Sequence, residues 1–290
     1  MTDDKRNILI IGGTGTLGKT VVEMLYNHCN ITILSREESK QQALKKQYPK
    51  CKFVIGDIRD AESLSPHFYG KDTVFHFAAM KHVDVAEANP EESVKINLIG
   101  SINVGKLAVA CGVPYTVFTS TDKAVLPINT YGMCKGISEK YFFNLNDEQN
   151  ITKFSVFRYG NVLGSRGSVI HGFLKTLKEK NTVHITDARM SRFWIDIKDA
   201  AKFILDNYES APSDVAMIPP MKASRIVKLA ELCARHLNLN NYEVKYCGIR
   251  AGEKLHEVVH SSHDVCVRSD NVEEYSDDEL LNLIERAANL

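Results

Sequence analysis

From Asn7 to Tyr159, short apolar runs bounded by turn residues alternate with stretches whose apolar positions recur every three or four residues. The runs Asn7–Ile11, Ile31–Leu34, Lys52–Ile55, Thr73–Phe77, Tyr115–Phe118 and Thr152–Tyr159 predict strands. They are apolar almost throughout, as strands covered on both faces are. Between them KTVVEMLYNH after Gly18, Glu91–Ala110 and Thr130–Asn146 predict helices, with Asn129 or Thr130 able to cap the last. Alternation of this kind implies an α/β fold with a doubly wound parallel sheet.

Beyond residue 160 the pattern turns irregular. Ala200–Tyr208 predicts a helix returning to the main sheet. Arg225–Leu237 and Asp277–Ala288 predict amphipathic helices around which a smaller lobe packs. The expected division is a nucleotide-binding part over 1–165, rejoined by 195–212, and a substrate lobe from 166–194 and 213–290.

Composition adds exclusions. The formal net charge of the 290 residues is zero, which gives no footprint for a nucleic-acid or anionic-membrane partner. The first apolar run, ILII, is far too short to span a bilayer. Seven cysteines form no CxxC pair and no metal-like spacing, so they read as reduced thiols of a cytoplasmic protein without a metal site.

The first chemistry lies between the first strand and its helix. In GGTGTLG, Gly12, Gly15 and Gly18 fit a dinucleotide loop, allowing a tight turn, a close approach of backbone to pyrophosphate, and close packing of helix on strand. Thr14, Thr16 and Leu17 share that loop, whose helix N-terminus offers free N–H groups to phosphate. At the end of the second strand, Ser35 and Arg36 stand where an NAD site commonly carries an acidic residue. A hydroxyl and a guanidinium suit a 2′-phosphate and favour NADP; an NAD reading would give the role to Glu37 or Glu38, one or two residues later. Asp57 and Ile58 follow the third strand, where a polar side chain meets an adenine amine. Ala78 and Ala79 follow the fourth and leave room for a cofactor across the sheet edge.

The stretch TSTDKAVLPINTYGMCK carries the second signal. Tyr131 and Lys135 are four residues apart on a predicted helix and so share a face. A free phenol titrates near pH ~10, and making it a base near neutrality takes about 4 kcal/mol, which a neighbouring cation can supply. By spacing alone, a helix that merely exposes both residues explains the pair as well. Asp122 and Lys123, just after the fifth strand, read without further context as a loop ion pair.

Taken in order, GGTGTLG, Asp57, FAAMKHV, KINLIGS, STDKAV, YGMCK, FRYGNVLGSRGSV, RMSRFWI and GIRAGEKLHE resemble an extended short-chain dehydrogenase/reductase. More narrowly the chain resembles the soluble UDP-N-acetylglucosamine 4,6-dehydratases that invert carbon 5, from its start to about Val259. It departs from their pattern at Ala251, where proline is usual, and in a short acidic tail. The resemblance implies a tightly bound NADP regenerated in each turnover. Tyr131, assisted by Lys135, takes the proton of the 4-hydroxyl. Lys123 then removes the carbon-5 proton, Asp122 protonates the departing 6-hydroxyl, and Thr121, with Thr119 and Ser120, is placed to hold the ketone oxygen. Lys123 should therefore have a lowered pKa and Asp122 a raised one.

The resemblance also implies contacts. Lys81 and Asn97 join the cofactor residues. Lys81, His82, Asn161, Arg166, Ser168, Thr186, Arg192, Arg250 and Glu253 approach the nucleotide sugar, with Arg192 and Arg250 on the diphosphate and Glu253 on the uridine ribose. For each arginine a solvated surface charge is the competing reading. His256 reads as a structural hydrogen-bonder. Relatives pair through the helices at Glu91–Ala110 and Thr130–Asn146, so a homo-oligomer, dimer or higher, is expected. Two rivals stay open: a nucleotide-sugar 4-epimerase or 4-reductase, needing Tyr131 without the Asp122–Lys123 pair, and a non-enzymatic NADP sensor, needing only the glycine loop.

Overall fold

The computed structural model describes residues 5–165 and 168–288. Strands β1 (Asn7–Ile11), β2 (Asn30–Ser35), β3 (Lys52–Ile55), β4 (Thr73–His76), β5 (Tyr115–Thr121) and β6 (Lys153–Tyr159) form one sheet in the order β3-β2-β1-β4-β5-β6. Every pairing in it is parallel. The order reverses beside β1, so the carboxyl ends of β1 and β4 open the crevice in which such sheets bind ligands.

Alternation along each strand divides two cores. Ile8 and Ile10 of β1 join Ile33, Phe75, Val117 and Phe157 on one face, under α1 (Thr16–Leu25). Leu9 and Ile11 join Leu34, Val74, Phe118 and Val156 on the other. The helix α2 (Glu38–Gln47) follows β2, and the short α3 (Ala61–Leu64) and α4 (Val83–Ala88) follow β3 and β4.

The long helix expected over Glu91–Ala110 is not uniform. It runs as α5 (Pro90–Ser93), a π-helical turn over Val94–Ile99, and α6 (Gly100–Ala110). The cause is Asn97. Its carbonyl accepts from the hydroxyls of Ser101 (2.7 Å) and Ser138 (3.1 Å), which compete with the helical ladder. Its amide holds the backbone of Met80 through N and O at 2.8 and 3.0 Å.

β5 continues past Phe118 to Thr121 and turns through a 3₁₀ turn at Asp122–Ala124. The helix α7 (Thr130–Glu148) begins at Asn129, whose side chain accepts from Gly132 N at 2.7 Å. Two glycines one turn apart let α7 touch that turn. A Cβ on Gly132 would lie 2.1 Å from Lys123 O, and one on Gly136 3.0 Å from Ala124 O.

The later chain is more regular than its pattern suggests. After β7 (Asn161–Leu163) come α8 (Val169–Lys180), β8 (Thr182–Ile185), β9 (Ser191–Asp196) and α9 (Ile197–Asn207). They are followed by β10 (Lys222–Arg225), α10 (Ile226–His236), β11 (Glu243–Tyr246), β12 (Val258–Ser261), β13 (Cys266–Arg268) and α11 (Asp277–Ala288). The strands pair as β10-β9-β7, β11-β8 and β12-β13. Short strands of mixed pairing leave no single period to read, which is why they escape a sequence pattern. The helices α8, α10 and α11 enclose a separate core with Trp194, whereas α9 packs Ala201 and Ile204 on the main sheet, with Tyr208 just beyond its end.

Gly132→Ala is expected to lose at least 2 kcal/mol of unfolding free energy, because backbone must move to admit the methyl. Gly172→Ala, on the open side of α8 with nothing near its added Cβ, is expected to gain about 0.5–1 kcal/mol. Urea unfolding of the two variants checks both signs.

Candidate active site

A cavity of about 660 Å³ follows the carboxyl edge of the sheet. Its floor at one end is the glycine loop. Gly12 has φ +83°, and a Cβ there would lie 2.7 Å from Ala78 N. A Cβ on Gly18 would lie 2.5 Å from Gly13 Cα, so the loop and α1 interlock only as glycines. Gly15 is the N-cap of α1 without a side-chain cap, and the first turn carries no acid. Thr14, Thr16 and Leu17 line the cavity with Gly12, Gly15 and Gly18. An anion is the natural complement of such a helix end.

Ser35, Arg36, Asp57 and Ile58 line the cavity beside β2 and β3. Arg36 Nη1 lies 3.9 Å from Asp57 Oδ2, while Arg59 grips the same carboxylate at 2.7 Å. Burial opposes its charge, but these two cations hold the Asp57 carboxyl below its ordinary range. Glu37 also lines the cavity, with its carboxylate paired to Lys40. Ala78, Ala79, Lys81 and His82 form the wall after β4. Asn97 does not reach the cavity among the described residues; buried behind it, it holds the backbone of Met80, which does. Through these bonds it sets the shape of the wall.

At the other end Thr121, Lys123, Tyr131 and Lys135 converge with Asn161 and Ser168. Asp122 is fully buried behind Lys123. Its Oδ1 accepts from Lys123 Nζ at 2.9 Å and from the Thr121 hydroxyl at 3.0 Å, while Oδ2 has no partner among the described residues. Burial raises the Asp122 carboxyl above its ordinary value against the pull of Lys123, as an acid requires.

Two expectations about charge are corrected. Lys123 was to be a lysine with lowered pKa. Burial does press it down, but the carboxylates of Asp122 and Glu257 outweigh burial and hold the ammonium above its ordinary range. Tyr131 was to be lowered by Lys135. Burial instead pushes the phenol up to about 12, and the cation that opposes this is Lys123. Lys135 Nζ stands 3.9 Å from the centroid of the Phe118 ring, and burial brings it down to about 7.

Four expected substrate residues lie outside the cavity wall. Arg192 is buried, donating to the carbonyls of Ser191 and Leu255 at 2.7 and 3.2 Å. Its Nε lies 3.7 Å from Glu257. It is not the solvated surface charge of the competing reading. Arg250 and Glu253 sit on an exposed turn, where Arg250 N donates to Glu253 at 3.3 Å. Thr186 is half-buried after β8. Arg166 lies outside the described residues. His256 Nδ1 lies 2.8 Å from Ser191 Oγ and Nε2 3.6 Å from Asp270, in keeping with a structural partner.

The residue that sequence reasoning missed is Glu257. It is 2% exposed, and its Oε1 lies 3.4 Å from Lys123 Nζ. The available signal was a carboxylate directly before the apolar pair Val258-Val259, where a strand enters the interior. Tyr159, at the end of β6, and Trp194, within β9, complete the wall as large side chains.

The sheet order, the glycine loop and the tyrosine–lysine helix together define an extended short-chain dehydrogenase/reductase. Within that class the chain belongs to the polysaccharide biosynthesis protein family, whose profile matches residues 8–277. It is 44% identical over 269 residues to the UDP-N-acetylglucosamine 4,6-dehydratase (inverting) of Campylobacter jejuni subsp. jejuni serotype O:2, an alignment covering 90% of this chain and 79% of that one. A UDP-glucose 4-epimerase of Rickettsia bellii is 35% identical over 278 residues, covering 91% and 80%. Among solved structures, Pen from Bacillus thuringiensis superposes over the whole of both chains, with a TM-score of 0.93 at 32% identity.

Lys123→Met removes the cation from two buried carboxyls and is expected to cost about 3 kcal/mol of stability near neutrality. In this variant Asp122 titrates still higher in the folded state. A carboxyl raised on folding takes up protons preferentially when folded, so the variant's deficit shrinks as pH falls from about 7 to about 5. Urea unfolding across that range measures it; a constant deficit would contradict the burial of both charges.

Proposed function

We propose that the protein dehydrates UDP-N-acetylglucosamine to a UDP-2-acetamido-2,6-dideoxy-4-hexulose, with inversion at carbon 5. It does so with a tightly bound NADP that is regenerated in each turnover. The observation that carries this reading is the 2.9 Å contact between Lys123 and the fully buried Asp122. A 4-epimerase or 4-reductase needs Tyr131 and no such pair, and a sensor needs neither. Support for the substrate comes from the Campylobacter relative's name, and its qualifier supports inversion.

The residues present fit a dinucleotide. The uncapped N-terminus of α1 would hold its pyrophosphate, since bulk at Gly12 or Gly18 would close the loop. Arg36 and Ser35 would hold a 2′-phosphate, because Glu37 is already engaged by Lys40. When bound, the nicotinamide supplies a hydride acceptor for carbon 4 and a hydride donor for carbon 6. Tyr131 takes the 4-hydroxyl proton in its phenolate form, which burial opposes and which the Lys123 cation and, less strongly, a hydrogen bond from Thr121 favour.

The Asp122–Lys123 pair does the rest. At 2.9 Å one proton can pass from the ammonium to the carboxylate, converting an ion pair into a carboxylic acid and an amine. The amine then takes the carbon-5 proton, acidified by the 4-ketone. The released electron pair forms the C5=C6 bond as the C6–O6 bond breaks, and Asp122 gives its proton to the departing oxygen, which leaves as water. Inversion requires that carbon 5 be reprotonated on the face opposite Lys123, which keeps the proton it took. The proton that Tyr131 removed from the 4-hydroxyl balances the one carbon 5 gains, and the Lys123–Asp122 ion pair is restored. Thus Lys123 needs no lowered pKa of its own: its base form is one tautomer of the pair.

Exposed apolar side chains on the π turn (Val94, Ile99) and on α7 (Met133, Ile137) support association of copies through these helices. The free cysteines of the described residues suit a reducing cytoplasm. No described helix is long and apolar enough to cross a membrane.

Incubated with UDP-N-acetylglucosamine and no added cofactor, the protein is expected to yield a product lighter by one water, detected by mass spectrometry. Unchanged mass with every UDP-hexose tried would favour the epimerase. Arg36→Asp is expected to weaken NADP binding at least about tenfold more than NAD binding, measured by calorimetry, since attraction to the 2′-phosphate becomes repulsion. Equal losses would remove Arg36 from cofactor choice.

A further inference from the structure

Glu257 is a buried carboxylate that the mechanism above does not use. It enters the site from the loop before β12, where its backbone N–H donates to Ser269 Oγ at 3.0 Å. Three cations from three elements surround it: Lys123 Nζ at 3.4 Å, Arg192 Nε of β9 at 3.7 Å, and Lys254 Nζ at 3.9 Å. Lys254 also donates to Val125 O at 2.6 Å, tying this loop to the turn that bears the acid–base pair. The pair itself is faced by Thr121 and Asp122 from the β5 end, Tyr131 from α7, Asn161 Oδ1 of β7 at 3.4 Å, and Glu257. Glu257 is thus the second anion on Lys123, placed so that Lys123 Nζ lies between two carboxylates.

We propose that Glu257 is a positioning residue of the acid–base pair: its charge keeps one proton shared between Lys123 and Asp122 while carbon 5 is deprotonated and water leaves. The inference rests on the dehydratase reading. Its logic is charge balance in a dry site. With Arg192 and Lys254 nearby and no Glu257, three cations would face Asp122 alone, and the proton that Asp122 must donate would be driven off. Glu257 offsets them, so the pair retains that proton at neutral pH. Burial raises the carboxyl of Glu257, but Lys123, Arg192 and Lys254 outweigh it and keep Glu257 ionised, as this role requires. The same charge opposes release of the proton to solvent, so the base form of Lys123 arises by transfer to Asp122.

The consequence is a split between two measurable steps. Exchange with heavy water of the carbon-5 hydrogen of the 4-keto-6-deoxy sugar that retains the substrate's carbon-5 configuration, and so presents that hydrogen to Lys123, needs only an unprotonated Lys123. Dehydration of UDP-N-acetylglucosamine needs the acid proton as well. Glu257→Gln keeps shape and removes charge, so Lys123 and Asp122 both lose protons more readily. The exchange profile is expected to move to lower pH by about one unit, making exchange about tenfold faster on its rising limb. The alkaline limb of dehydration is expected to move down as well, lowering kcat above neutrality with KM unchanged. Lys254→Met removes a repelling cation and is expected to move the exchange profile the opposite way.

Glu257→Asp, which keeps the charge, should restore most of the wild-type profile. Faster exchange with slower dehydration in Glu257→Gln supports the proposal; a merely structural loss would slow both, and that result, like unchanged profiles, overturns it. Should Glu257→Gln not fold, Lys254→Met decides: an upward move supports, and an unmoved or downward profile overturns. Lys123→Met separates the two levels of inference. Wild-type exchange in that variant rejects the dehydratase reading itself, whereas its abolition beside an unresponsive Glu257→Gln rejects only the role of Glu257.

Discussion

Two carboxylates, Asp122 and Glu257, share the ammonium of Lys123 where the end of β5 meets the start of β12. Neither carboxylate is appreciably exposed. An isolated ion in such a place would cost several kcal/mol, so the three groups are tolerable only together, and only if held at contact distance. The arrangement therefore makes demands on everything around it. The turn at Asp122–Ala124 must be rigid, α7 must approach it without side chains in the way, and the loop before β12 must arrive from far along the chain.

The sequence meets those demands with small residues and polar anchors. Gly132 and Gly136 admit the turn's carbonyls against α7, and Asn129 caps α7 while its amide donates to Gly252 O at 2.8 Å. Lys254 ties the same loop to Val125. At the far end of the cavity, Asn97 breaks the regularity of its own helix and in exchange holds Met80 by two hydrogen bonds. The wall after β4 and the Asp122–Lys123 pair are thus positioned by separate devices, one on each side of the cavity.

Much of this was legible beforehand where a local rule applies. Strand–helix alternation sufficed for the parallel sheet, since buried strands are apolar throughout, and the glycine loop announced its own function through position. What remained hidden depends on distant partners. Asn97 looked like one residue of an unbroken helix, because nothing local says that Ser138 and Met80 would claim it. Arg192 read as a diphosphate ligand or a surface charge, and Glu257 only as the last letter of GIRAGEKLHE; only the meeting of β9, β12 and the β5 turn shows that the two charges face one another. The pKa expectations for Lys123 and Tyr131 failed for the same reason. Spacing on a helix pairs Tyr131 with Lys135, but the folded chain brings Lys123 to bear on the phenol and two carboxylates to bear on Lys123.

The central claim is that Lys123 serves as a base through its contact with Asp122 and not through a lowered pKa. Following the ¹⁵N resonance of Lys123 Nζ in labelled protein, assigned by its absence in Lys123→Met, tests this directly. The account predicts that the ammonium stays protonated from about pH 6 to about pH 10, close to or beyond the range of a free lysine. A midpoint near neutrality would contradict it, showing a lysine that titrates alone.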